Sequence, residues 1–82
     1  MTRNDFISWA RKTGWREDRF GHFQLEKTSK ETAGQVNTYR LKLSRIAVRY
    51  EVKSSAGWVR LSSGYFSKLS VTPDNKIVGL HY

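Results

Sequence analysis

Apolar residues recur at two different spacings along this chain, and the change of spacing marks out its elements. Phe6, Trp9 and Ala10, with Thr13 completing the row, fall at i, i+3, i+4 and i+7, the spacing that lines one face of an α-helix. Thr2 and Asp5 fit a capping box, Arg11 and Lys12 complement the dipole of the last turn, and Gly14 stands where a C-terminal glycine belongs. The pattern predicts a helix over residues 2–13, with Trp15 folding back beside Trp9. Beyond it the period becomes 2. Phe23 and Leu25 alternate with His22, Gln24 and Glu26, predicting a strand over 20–27. Residues 28–37 are polar and read as a loop.

Two apolar sets of opposite parity follow. Tyr39, Leu41 and Leu43 are odd; Ile46, Val48, Tyr50 and Val52 are even. One uninterrupted strand cannot carry both sets to the same core, so a bulge or sharp bend is expected at Ser44 and Arg45. A turn at 54–57, a strand over 58–62, a break at Ser63 and Gly64, and an irregular or 3₁₀ turn over 65–68 come next. A final hairpin spans 69–81 and turns at Pro73-Asp74-Asn75, where proline presets the first corner and asparagine tolerates a left-handed backbone. The expected fold class is α+β: a single domain, residues 1–82, with one N-terminal helix packed on an antiparallel sheet of about five or six short strands. Phe6, Trp9, Leu41, Val48, Tyr50, Val52 and Leu61 are the expected core. Ile46 and Val59 are expected to point the same way.

Composition bounds what such a domain can do. At 82 residues and 38% hydrophobic, one core is feasible, but a domain this small buries only about 60% of its unfolded surface and has little room for an enclosed substrate cavity. There is no cysteine, and the two histidines, His22 and His81, are far apart. A disulfide scaffold is excluded and a structural zinc site is not expected. No cofactor is expected. No apolar run is long enough to cross a membrane, and no hydrophobic leader opens the sequence, so a cytoplasmic protein is expected.

Charge supplies the functional signal. Fifteen Lys and Arg against seven Asp and Glu give a net +8, and the excess sits in the middle of the chain, where Glu51 is the one acid among seven bases from Arg40 to Lys68. Alternation places Arg49, Glu51, Lys53, Trp58 and Arg60 on the face opposite the core. Cations that neutralise phosphate beside a ring that stacks on a base are what single-stranded nucleic-acid binders use. The competing reading is a solvated basic face with Trp58 covering an open end of the core. The carboxylates offer no catalytic pair, since Glu17 and Asp18 sit among arginines in a charged turn. No glycine loop cradles phosphate, and Ser62, Ser63 and Ser67 have no base nearby in sequence. The expected function is therefore that of a small non-enzymatic binding module. It contacts RNA or single-stranded DNA through Arg40, Lys42, Arg49, Lys53, Trp58 and Arg60. The alternative is an adaptor that docks the same face on an acidic protein partner.

Two resemblances accompany this reading. Over residues 1–28, a third of the chain, the order Phe6 to Thr13, Gly14-Trp15, Gly21-His22 resembles HicA-type RNA-cleaving toxins, which implies a third reading with His22 as general acid or base. The chain reads G-H-F where that family reads G-S-H, and the family's second helix is not evident. Gly14-Trp15, Asp18-Arg19-Phe20-Gly21, the segments 39–43, 48–52 and 58–61, Ser63-Gly64-Tyr65 and Gly79-Leu80 resemble a group of small uncharacterised cyanobacterial proteins. That resemblance implies a non-secreted setting and no particular chemistry.

Overall fold

In the computed structural model, which describes residues 1–28 and 34–82, the chain opens with helix α1, Arg3–Lys12. Thr2 caps it: the Thr2 hydroxyl accepts from the Asp5 N–H at 3.1 Å, and the Asp5 carboxylate accepts from the Thr2 N–H at 3.0 Å. Hydrogen bonding from the Thr2 N–H, and then from the Thr2 hydroxyl, holds the Asp5 carboxyl below its ordinary range. At the other end Gly14, at φ 91°, lets the Trp15 N–H reach back to the Ala10 carbonyl at 3.1 Å, a Schellman closure that swings Trp15 into the core.

Strands β1 (Arg16–Glu17), β2 (Phe23–Thr28), β3 (Val36–Leu43), β4 (Ala47–Ser54) and β5 (Gly57–Tyr65) follow. Among the described residues they form one antiparallel sheet in the order β1-β2-β3-β4-β5. A 3₁₀ turn, Phe66–Lys68, leads into a separate ribbon of β6 (Ser70–Val71) and β7 (Ile77–Val78). The expected α+β architecture is present. The expected 28–37 loop is shorter, because Thr28 and Val36 pair and extend the β2–β3 ladder from both sides; its centre, 29–33, lies outside the described residues. The strand expected over 20–27 begins later, because Asp18 holds 18–22 in a turn. Its carboxylate accepts the N–H groups of Phe20 (2.8 Å) and His22 (3.0 Å), and Phe20 is exposed. Burial by itself raises the Asp18 carboxyl, but these donors and Gln24 outweigh it and hold it below its ordinary range.

Helix and ribbon cover the same side of the sheet. Phe6, Trp9, Phe23, Leu41, Val48, Tyr50, Phe66, Leu69, Ile77 and Leu80 pack there as one core. The Trp9 indole N–H donates to the Asn75 carbonyl at 2.6 Å, fastening α1 to the 73–75 turn, where Asn75 takes the expected left-handed φ of 63°. Gly64 lies under this cover: a Cβ there would stand 3.1 Å from Leu69 Cδ2 and 3.3 Å from the Gly79 carbonyl.

The break expected at Ser44 and Arg45 is a tight hairpin turn between β3 and β4. The Ser44 N–H donates to the Ala47 carbonyl at 2.8 Å, and the Ser44 hydroxyl accepts from the Ala47 N–H at 3.1 Å. The turn reverses parity, so Leu41 opposes Tyr50 and Leu43 opposes Val48. Three residues expected to be buried are exposed. Ile46, 62% exposed, occupies the turn itself. Leu61, 52% exposed, is the extra residue of a β-bulge, because Tyr50 pairs with Ser62 while Glu51 pairs with Arg60. Val59, 47% exposed, and half-buried Val52 face each other on the core side where neither is fully covered.

Lys27 stands on the core side. Lys27 Nζ lies 5.2 to 5.9 Å from the ring centroids of Tyr39, Tyr50, Tyr82 and Trp15, within reach of attraction to all four π-faces. Tyr39 and Tyr50 stack in parallel at 5.4 Å. Burial pushes the Lys27 ammonium below its ordinary range, and burial together with Tyr39 pushes the Tyr50 phenol up to about 12.

Candidate nucleic-acid interface

The sheet face turned away from α1 carries the basic residues, and the register sorts them into rows. Lys42 of β3 pairs with Arg49 of β4, which pairs with Ser63 of β5. Arg40, Glu51 and Arg60 form the next row, and Lys53 with Trp58 a third. All six residues expected from the sequence therefore share one face. The Leu61 bulge makes this possible on β5: the outward phase is even at Trp58 and Arg60 and odd at Ser63 and Tyr65, and the extra residue absorbs the change.

Their availability differs. The Arg40 guanidinium donates through Nε (2.9 Å) and approaches through Nη2 (2.7 Å) the same oxygen, Oε1, of Glu51. Its Cζ lies 4.2 Å from the centroid of the Trp58 ring. Glu51 is only 5% exposed, and 16% of the Arg40 side chain is exposed. Arg40, Glu51 and Trp58 thus form a compact unit on the face: one charge is neutralised internally, and one side of the indole is occupied. Lys42, Arg49, Lys53 and Arg60 are exposed and have no carboxylate within salt-bridge reach among the described residues.

Two further residues join them. Tyr65 ends β5 opposite Ala47, on the same face, and is 55% exposed. Lys68 follows on the 3₁₀ turn. With Lys42, Arg49, Arg60 and Ser63 they line a groove of about 650 Å³ at the hairpin-turn end of the face. Ser63 and Gly64, expected to break the chain, instead pair with Arg49 and Val48 and carry β5 on to Tyr65; the signal in the sequence for Tyr65 is the odd parity it shares with Ser63. Trp58 and Tyr65, opposite Lys53 and Ala47, bracket the face at separations of about 20 Å, taking ~3.3 Å per residue of β4.

His22, the residue implied by the toxin resemblance, sits just ahead of β2. Its Nδ1 accepts the Leu43 N–H at 3.0 Å and so closes the end of β3. Among the described residues no cluster of His, Cys, Asp and Glu could hold a metal ion, and no helix is long and apolar enough to cross a membrane.

The fold and this face define an α+β domain with a one-sided antiparallel sheet whose open side is basic. Compared with protein-family models, curated proteins and solved structures, the chain has no significant match.

Proposed function

We propose that the protein is a binding module that takes up single-stranded RNA or DNA across the open face of its sheet. The observation that carries this reading is the set of exposed cations Lys42, Arg49, Lys53, Arg60 and Lys68 around one groove and face, with Tyr65 among them and no salt bridge to any of the five among the described residues. Cations without a protein counter-ion gain most from a polyanion, since each phosphate they neutralise releases a condensed counter-ion. An exposed ring beside them can stack on an unpaired base of any identity. Tyr65 is the better stacking platform of the two rings. Trp58 acts from behind, holding Arg40 and the edge of the sheet. Contacts to phosphate and to π-faces carry no sequence information, so binding is expected to be largely independent of base sequence.

Fluorescence anisotropy of a short labelled oligonucleotide at low salt tests the reading. Micromolar or tighter binding that weakens steeply as salt rises supports it. Absence of binding at low salt, where the electrostatic attraction is largest, would leave an acidic protein surface as the partner that fits the same cations.

A further inference from the structure

The cations of the face are not spread evenly. Lys42 and Arg49 stand directly opposite each other on β3 and β4, where side chains leave the backbone only about 5 Å apart and like charges oppose pairing. Neither has a carboxylate to relieve it among the described residues. The third member of the row is the hydroxyl-bearing Ser63. Arg60 and Lys68 line the same groove, so four cations without a salt bridge among the described residues line one space of about 650 Å³. Glu51, the carboxylate nearest in the register, is held by Arg40 and lies buried.

A single phosphodiester carries one negative charge, too little for four converging cations. A phosphomonoester carries about −1.5 to −2 near neutral pH and offers three acceptor oxygens. The groove also lies where the face stops. The β3–β4 turn bounds it through Ser44 and Ala47, Lys68 borders it just after the chain leaves β5, and Gly79 borders it just past β7. A strand running along the face from Trp58 towards Tyr65 reaches this boundary with its end.

We infer that the groove between Lys42, Arg49, Arg60 and Lys68 is a pocket for the terminal phosphomonoester of a nucleic-acid strand, with the terminal base on Tyr65. This rests on the reading of the face as a single-strand binder. The phosphate bridges Lys42 and Arg49 and removes their mutual repulsion, and the Ser63 hydroxyl is within the same row to donate to it. The internal phosphates of the strand then meet Lys53 and the outer side of Arg60.

The test compares one short oligonucleotide, labelled internally, in three forms: hydroxyl at both ends, 5′-phosphate, and 3′-phosphate, at one fixed ionic strength, alongside a free nucleoside monophosphate. One phosphorylated form is expected to bind at least tenfold more tightly than the hydroxyl form. That preference should disappear in Arg49→Gln and in Lys42→Gln and persist in Lys12→Gln, which removes a charge from α1 instead. Equal affinities for the three forms, with binding intact, would overturn the end-recognition inference and leave the face reading standing. A free monophosphate that binds as tightly as the phosphorylated strand would also overturn it, by assigning the groove to a mononucleotide. Failure of every oligonucleotide to bind would overturn both.

Discussion

Tyr65 and Trp58 are both aromatic residues on the open face, yet their surroundings give them different work. Tyr65 is more than half exposed, and no ring or cation packs on its ring among the described residues. Trp58 is half-buried and already has a guanidinium over one side. Base stacking contributes on the order of 1 to 3 kcal/mol per ring. Tyr65→Ala should therefore weaken oligonucleotide binding by roughly ten- to a hundredfold with little change in melting temperature. Trp58→Ala should lower the melting temperature first, because it uncovers the Arg40–Glu51 pair. Anisotropy titrations and thermal melts of the two variants check this; equal losses of binding with both folds unaffected would show that the two rings act alike. A second residue-scale expectation concerns Tyr50. Its phenol titrates near 12 in the fold and near 10 when unfolded, so between these values the unfolded state holds fewer protons and stability falls as pH rises. Below pH 10 this contribution is fully present. Urea midpoints measured at pH 9 and pH 11 should drop less for Tyr50→Phe than for the unaltered protein, and parallel drops would remove Tyr50 as the cause.

Strand β5 is the element whose behaviour depends most on one residue. Leu61 is an apolar residue in a strand, and period-2 reading places it with the core, yet the bulge leaves it 52% exposed. Truncating a fully buried leucine costs about 2 to 5 kcal/mol, whereas surface substitutions usually fall within about 0.5 kcal/mol. Leu41→Ala should fall in the first range and Leu61→Ala near the second, as read from chemical denaturation; a large loss at Leu61 would mean that the bulge residue packs inward. The same strand shows what could and could not be read in advance. Helix α1 was legible to within a residue because cap, periodicity and C-terminal glycine agree with one another. The β3–β4 turn was legible because parity flips across it. The bulge was not, since apolar residues of both parities occur within 58–65 and only the pairing with β4 shows which residue is extra. The common face of Arg40, Lys42, Arg49, Lys53, Trp58 and Arg60 followed from alternation alone. That Arg40 is neutralised by Glu51, and that Tyr65 joins the face, required the cross-strand register.

At the scale of the whole molecule, α1 and the β6–β7 ribbon close one side of the sheet, and the other presents to solvent Lys42, Arg49, Lys53 and Arg60, which have no salt bridge among the described residues. Net charge alone would attract any polyanion, so the informative quantity is which charges contribute to the salt dependence. For single strands the slope of log affinity against log salt changes by about 0.7 for each phosphate neutralised. Arg49 is exposed and has no salt bridge among the described residues, so Arg49→Gln should flatten the slope by roughly that amount and leave the melting temperature nearly unchanged. Arg40 carries the same formal charge on the same face, but Glu51 cancels it. Arg40→Gln should therefore leave the slope almost intact and lower stability, because it strands a carboxylate that is 5% exposed, and removing one partner of a buried pair costs about 3 to 5 kcal/mol. Titrations of both variants across a range of salt concentrations, paired with denaturation curves, separate the two arginines. If Arg40→Gln flattens the slope as much as Arg49→Gln does, the pair with Glu51 opens when the strand binds, and the compact unit of Arg40, Glu51 and Trp58 is part of the contact surface instead of its support.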